Sequence, residues 1–367
     1  MTVIVAARRT AVVPANGAFA ALSFHDLAAP GLRACLADAG IDPLQVTEVI
    51  VGNALGAGGN PARLCALAAG LPKRVPGLTI DRQCVSGLDA ILLADALIRA
   101  GRAEVVLAGG AESTSRRPQR WATFADGRPP ARYEQAPFTP WPDRDPGMAD
   151  AAAALARQNG IDRAAQDDWA IASHARARAA RDILRREIVP LAGLDQDPFG
   201  RDLGARLCAR APVISDTITH ANTAVAADGA AFVLVVSDRV AAGLAGPQAR
   251  IVGGVTLGGQ PDLPGFAPVA AIRATLTAAG LTPDDLAVIE VMEAYAAQAI
   301  ACVRGAGLPE GRVNPGGGAL ARGHPIGASG AVNAVRLWHE LQRTPGPGIA
   351  AIAAAGGLGT ALLLSSP

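Results

Sequence analysis

The chain repeats itself, and that repeat limits what it can fold into more than any other feature. Arg33-Ala34-Cys35-Leu36 through Ala39-Gly40-Ile41-Asp42-Pro43 matches Arg273-Ala274-Thr275-Leu276 through Ala279-Gly280-Leu281-Thr282-Pro283 at an offset of 273 − 33 = 240. The match runs without a gap into Val49-Ile50-Val51 against Ile289-Glu290-Val291. Each copy reads as an amphipathic helix, a glycine stop, a proline-started turn and a strand. A second echo sets Ser86-Gly87 and Val105 to Gly110 against Ser329-Gly330 and Ile352 to Gly357. Strands alternating with helices in two related halves predict an α/β fold whose apolar sheets are covered by helices. The halves fall at 1–113 with 228–248 and at 249–367.

Between them, residues 114–227 differ in character. Arg116 to Pro146 is rich in proline and arginine, with Trp121, Phe124, Tyr133, Phe138 and Trp141 scattered through it. Such an excursion is too long for an idle loop in a compact domain, and it reads as a cover for a site or an oligomer contact. Met148 to Glu187 then reads as helical.

Composition narrows the function. The net charge of +1 gives no electrostatic case for a nucleic-acid or membrane-surface partner. No apolar run reaches the roughly 20 residues of a spanning helix. Met1 to Ala7 reads as a buried strand rather than a signal peptide. Five cysteines without CxxC or regular spacing fit a reducing cytoplasm better than a disulfide or zinc framework, so the expected location is cytoplasmic and no metal is expected.

Two glycine-rich segments carry the chemistry. In Asp81-Arg82-Gln83-Cys84-Val85-Ser86-Gly87-Leu88 a cysteine stands where a strand gives way to a helix. A helix N-terminus and a nearby imidazole would both lower the thiol pKa and make Cys84 a nucleophile. The bland alternative is a buried structural cysteine. The second segment, Asn314 to Gly330, places His324 between Gly323 and Pro325. Read alone, His324 fits a catalytic base or a histidine that satisfies loop carbonyls. The glycines match neither a Walker loop nor a dinucleotide fingerprint.

Taken in order, these segments resemble the thiolase family. The resemblance includes Val5 to Thr10, Pro61-Ala62-Arg63, Ala108 to Ser113, Asn222 to Gly229, Glu293-Ala294-Tyr295-Ala296 and Gly323 to Gly330. It implies the duplicated, five-layered αβαβα thiolase fold with an inserted loop domain, assembled as a homodimer or homotetramer. It implies acyl-CoA thioesters as partners, coenzyme A as substrate or product, and no permanently bound cofactor. Cys84 would form an acyl thioester and His324 would activate it. Backbone N–H groups of Cys84 and of the Gly356-Gly357 region would hold the thioester oxygen.

Several positions depart from the family's pattern. Ala353 stands where the family carries a second, acid/base cysteine, and Ala355 replaces a glycine of that loop. The family's Asn-Glu-Ala-Phe element reads Met292-Glu293-Ala294-Tyr295, so Met292 replaces a water-positioning asparagine. Ala224-Val225 replaces a small Ser-Gly pair at the pantetheine arm, and Gly147 stands before Met148 where a histidine is common. Ala224, Met292, Ala353 and Met148 are therefore the expected substrate-contacting positions. Glu293 is expected to support the catalytic loop or to pair with an arginine. Arg116, Arg117, Arg120, Arg128 and Arg132 read as phosphate ligands for coenzyme A or as a solvated basic loop.

An alanine transfers no protons, so the carbon–carbon step is expected to be impaired. The expected function is acyl transfer through Cys84 from acetyl-CoA or a 3-ketoacyl-CoA. The alternatives are an acyl-CoA hydrolase, a non-Claisen acyltransferase and a non-catalytic acyl-CoA-binding scaffold.

Overall fold

The structure, a computed structural model, describes residues 2–56 and 58–366. The first half contributes β1 (Thr2–Arg9), α1 (Phe24–Ala39), β2 (Glu48–Gly52), α2 (Pro61–Ala68), β3 (Gly77–Ile80), α3 (Ser86–Arg99) and β4 (Val105–Ser113). Helices α4 (Met148–Gln158) and α5 (Arg163–Ala179) follow, before the chain returns to the sheet as β5 (Ala227–Ser237). The second half contributes β6 (Ala249–Gly258), α6 (Pro268–Ala279), β7 (Val288–Val291), α7 (Ala296–Ala306), α8 (Ile326–Leu341), β8 (Pro347–Ala354) and β9 (Leu358–Ser365).

The predicted repeat is visible in the caps. Helix α1 opens with a Ser23–Asp26 capping box and ends at Gly40 with φ 62°. Helix α6 ends at Gly280 with φ 67°. Only glycine enters that left-handed region without strain. A short 3-10 turn follows each, at Pro43–Gln45 and at Pro283–Asp285.

The strands run in the order β7-β8-β9-β6-β1-β5-β4-β2-β3, with Val13–Pro14 pairing alongside β5. The two half-sheets thus join edge to edge, where Thr2 to Ile4 of β1 pairs antiparallel with Ala249 to Ile251 of β6. Strands β4 and β5 are buried almost throughout, as expected where helices cover both faces. Helices α1 and α2 cover the outer face of the first half, α6 and α7 that of the second, and α3 and α8 lie between the sheets. The core accordingly divides into three apolar clusters, with Leu88, Ile91, Val332, Val335 and Trp338 in the middle one. This is the five-layered arrangement.

Two details differ from the sequence reading. Register pairs Val49 with Leu107 and Ile289 with Ile349, so Leu107 corresponds to Ile349. Gly109-Gly110 therefore corresponds to Ala351-Ile352 within a strand, not to Gly356-Gly357 in the turn beyond it. The second half also reduces one strand to a single bridge, Ile289 to Val313. Asn314 leaves the strand at φ 47°, and its side chain bonds the Val291 N–H and C=O at 2.8 and 2.9 Å in place of a continuing ladder.

Helices α3 and α8 cross at glycines. A Cβ at Gly87 would stand 2.8 Å from the Gly327 carbonyl oxygen, and one at Gly330 would stand 2.7 Å from the Leu88 nitrogen. This close crossing brings the N-termini of both central helices to one place.

Candidate active site

Strand β3 delivers Cys84 through a tight turn. Gln83 adopts φ 55°, an uncommon conformation for a residue with a side chain, just before the thiol. The Ser86 hydroxyl locks the turn by donating to the Gln83 carbonyl at 2.6 Å and accepting from the Arg82 N–H at 2.8 Å. His324 arrives from the other half. Gly323 turns at φ 117°, and the His324 N–H donates to the Val225 carbonyl at 2.8 Å.

His324 Nε2 lies 3.2 Å from Cys84 Sγ, and Nδ1 lies 2.6 Å from Ser329 Oγ. The Ser329 hydroxyl spends its proton on the Pro325 carbonyl at 3.3 Å. It therefore accepts from Nδ1–H, which leaves the Nε2 lone pair facing the thiol. Burial pushes the Cys84 thiol up to about 12 and the His324 imidazole down to about 4. The resting pair is thus a neutral thiol beside a neutral base, not the lowered thiolate that the helix terminus predicted. Desolvation outweighs the two backbone N–H groups, of Cys84 and Ala355, that favour the anion.

The loop N–H at the sulfur belongs to Ala355. Gly356 and Gly357 instead make the turn, at φ 77° and 81°, and a Cβ at Gly357 would meet the Gln260 carbonyl oxygen at 2.7 Å.

Cys84 and His324 open into a cavity of about 360 Å³ lined by Ala224, Met148 and Ala353, three of the expected positions, and also by Ala355, Thr223 and Tyr295. Ala353 brings only its methyl group to this space. Met292 lies elsewhere: it is 2% exposed, does not line the cavity, and packs in the central apolar cluster.

Glu293 is fully buried and has no arginine partner among the described residues. It accepts from Ser173 Oγ at 2.7 Å, Asn314 Nδ2 at 2.8 Å, Trp169 Nε1 at 3.1 Å and the Leu320 N–H at 3.3 Å. It thus clamps α5 to the loop that leads to His324, without touching the imidazole. Glu112, which the sequence offered only as part of a motif, plays the matching part beneath the site. It accepts from Asn53 Nδ2 at 2.8 Å, from the N–H groups of Ala54 and Gly327 at 2.9 Å and from that of Leu55 at 3.1 Å. Burial raises its carboxyl to about 7.

Of the arginines, Arg117 and Arg120 line the cavity. Arg117 and Arg132 pair with Glu134, Arg128 lies over the Phe124 ring and pairs with Asp126, and Arg120 donates to the Ala54 carbonyl at 3.1 Å. Among the described residues no cluster of three or more histidine, cysteine or acidic side chains could hold a metal ion. No described helix is long and apolar enough to cross a membrane.

Comparison with known proteins agrees with this architecture. The chain is 44% identical over 372 residues to "Putative acetyl-CoA C-acetyltransferase YhfS" of Bacillus subtilis (strain 168), covering 98% of each chain. It is 39% identical over 389 residues to an acetyl-CoA acetyltransferase of Cupriavidus necator, again covering 98% of each. The crystal structure of the Bacillus anthracis acetyl-CoA acetyltransferase superposes with a TM-score of 0.92 at 33% identity, over 100% of this chain and 98% of that one. Residues 2–239 match the family description "Thiolase, N-terminal domain" and residues 245–366 match "Thiolase, C-terminal domain". With both halves matched across nearly its whole length, the chain belongs to the thiolase family.

Proposed function

We propose that this chain is an acyl-CoA acyltransferase that carries the acyl group on Cys84. One observation carries the reading: the 3.2 Å contact between Cys84 Sγ and a His324 Nε2 whose tautomer Ser329 fixes. In the first half-reaction, Nε2 takes the thiol proton as sulfur attacks the thioester carbonyl. The N–H groups of Cys84 and Ala355 receive the developing oxyanion. The carbon–sulfur bond to coenzyme A breaks, and the departing thiolate takes the proton from His324. The 114–227 segment holds the coenzyme A arm, with Arg117 and Arg120 among the residues that line the cavity. The acyl donors are acetyl-CoA and 3-ketoacyl-CoA, the class named for the relatives, and coenzyme A enters as a substrate or product with no resident cofactor. The oligomer is a homodimer or homotetramer, a reading supported by exposed Leu64, Leu67 and Leu78 on α2 and the edge strand β3.

The second half-reaction departs from carbon–carbon chemistry. Deprotonating a carbon acceptor needs a second base, and Ala353 supplies none. His324, neutral again once coenzyme A has left, is sufficient for an acceptor that already carries an O–H or S–H. Mass spectrometry of the intact protein and its peptides after brief exposure to acetyl-CoA and acetoacetyl-CoA tests the first step. An acyl adduct on Cys84 that is missing from Cys84→Ala is expected. Absence of the adduct in protein that binds coenzyme A would leave a thiolase-shaped binding protein.

A further inference from the structure

The two N–H groups at the Cys84 sulfur come from different halves of the molecule, and one buried carboxylate joins their supports. Cys84 belongs to the turn before α3, and Ala355 to the turn between β8 and β9. Asp89 lies in the first turn of α3 and is 4% exposed. Its Oδ2 accepts from Arg82 Nη1 at 2.8 Å, which closes a clasp around the Cys84 turn. Its Oδ1 accepts from Thr256 Oγ1 at 2.5 Å and from Thr360 Oγ1 at 2.9 Å. Thr256 and Thr360 are direct cross-strand partners on β6 and β9. Register pairs Thr360 with Ile352, Gly359 with Ala353 and Leu358 with Ala354, so Thr360 stands close behind the turn that presents Ala355.

Packing alone would leave these parts free to slide. A Cβ at Gly254 would stand 2.6 Å from Leu92 Cδ2, so α3 lies close against β6, but apolar contact fixes spacing rather than direction. Hydrogen bonds to a carboxylate are directional and strong, and Asp89 turns one oxygen toward each half. The next side-chain bond from α3 to β6 stands at the far end of the helix, where Arg99 Nη2 donates to the Ile251 carbonyl at 3.0 Å. Asp89 does not line the cavity, so it acts on the reacting atoms only through the groups it holds.

We propose that Asp89 is a positioning residue for acyl transfer. By holding Arg82 on one oxygen and the Thr256–Thr360 pair on the other, it sets the Cys84 and Ala355 N–H groups at the spacing that receives a thioester oxyanion. This rests on the acyl-enzyme reading above and assigns the group that assembles its oxyanion site. Loss of a whole oxyanion donor costs about 100–1000-fold, so a donor that is loosened rather than lost should cost about tenfold or more.

The test compares two reactions of the same sulfur. Acetylation by acetyl-CoA passes through a tetrahedral intermediate whose oxygen uses both N–H groups. Alkylation by iodoacetamide forms a carbon–sulfur bond and expels iodide while His324 takes the thiol proton, and no oxyanion arises. Wild type, Asp89→Asn and Thr360→Val are each exposed to one reagent or the other, and labelled Cys84 is followed by peptide mass spectrometry. Asp89→Asn keeps an acceptor for the threonines but turns an NH₂ toward Arg82, and Thr360→Val keeps the side-chain shape and removes one bond. Acetylation should slow about tenfold or more in Asp89→Asn and about threefold or more in Thr360→Val, while alkylation of Cys84 stays within about twofold of wild type. The buried Cys35, Cys65 and Cys302 should stay unlabelled, which reports an intact fold from the same peptides. If Asp89→Asn exposes them, the shape-conserving Thr360→Val decides alone. Acetylation at the wild-type rate in either folded variant, or equal slowing of both reactions, would overturn the assignment. If wild type never carries an acetyl group on Cys84, the acyl-enzyme reading fails instead, and that arm alone reveals it.

Discussion

Replacing Glu187 with glutamine should cost this protein more stability than almost any other isosteric change. Glu187 is fully buried between two fully buried arginines. Its Oε1 accepts from Arg9 Nε at 2.6 Å and its Oε2 accepts from Arg336 Nη1 at 2.7 Å. Arg9 lies on β1 and Arg336 on α8, the helix that follows His324, so one carboxylate joins the sheet, the central layer and the segment after α5. Asp197 completes the set on Arg9 at 2.7 and 2.8 Å, and Glu340 joins Arg336.

The two arginines hold the Glu187 carboxyl down at about 2 despite its burial. Against about 4.3 for a free glutamate, that depression corresponds to roughly 3 kcal/mol of stability at neutral pH. Breaking one side of a buried ion pair gives a similar figure, about 3–5 kcal/mol. An amide in place of the carboxylate would offer one oxygen to two guanidinium groups and turn an NH₂ toward the other. Urea unfolding at pH 7 should therefore show Glu187→Gln less stable by about 3–4 kcal/mol. A depressed carboxyl contributes above its unfolded pKa and loses that contribution as pH falls. The gap between variant and wild type should accordingly narrow below about pH 4.5, toward about 2. A loss under about 1 kcal/mol at pH 7, or a gap that widens with acid, would refute the argument.

Four further outcomes are expected. Ala353→Cys places a thiol in the cavity beside the acyl-enzyme and should raise cleavage of acetoacetyl-CoA by coenzyme A by about 100-fold or more, read spectrophotometrically; no gain would mean that the missing base is not what limits the carbon step. Ser329→Ala leaves the His324 Nδ1–H without its acceptor and should slow the acylation burst by about tenfold, with unfolding nearly unchanged. Gly330→Ala puts a methyl group against backbone, 2.7 Å from the Leu88 nitrogen, and should destabilise by about 1–3 kcal/mol or more in urea. Because burial keeps His324 neutral down to about 4, the acylation rate should hold through the neutral range and fall only as pH drops through that value; a fall centred near 6.5 would contradict it.

Much of this was legible in the chain because the signals are local. The glycine caps and proline-started turns of α1 and α6 depend on residues next to one another, so the repeat survives in the sequence. The second echo misled because alanine and glycine runs align in several registers, and only strand pairing chooses between them. Cys84 and His324 were legible from the small residues that let each loop approach a substrate. Ser329 and Glu112 stand inside the family-like motifs, but their roles come from partners the sequence does not set beside them. Met292 stands just past the end of β7, where spacing alone could not tell core from cavity. The thiol departs from the sequence expectation for a related reason: a helix terminus is a sequence feature, whereas desolvation belongs to the assembled fold.

The position of β5 also sets the order in which the chain can complete itself. In the finished sheet β1 pairs only with β5 and β6 among the described strands. Both are made after residue 226, although β2, β3 and β4 are complete by Ser113. During synthesis, β1 must therefore wait without its strand partners until the whole inserted segment has followed it. At about 5–20 residues per second that wait lasts on the order of ten seconds or more. The sheet of the first half therefore cannot be completed before residues of the second sheet's border have been made.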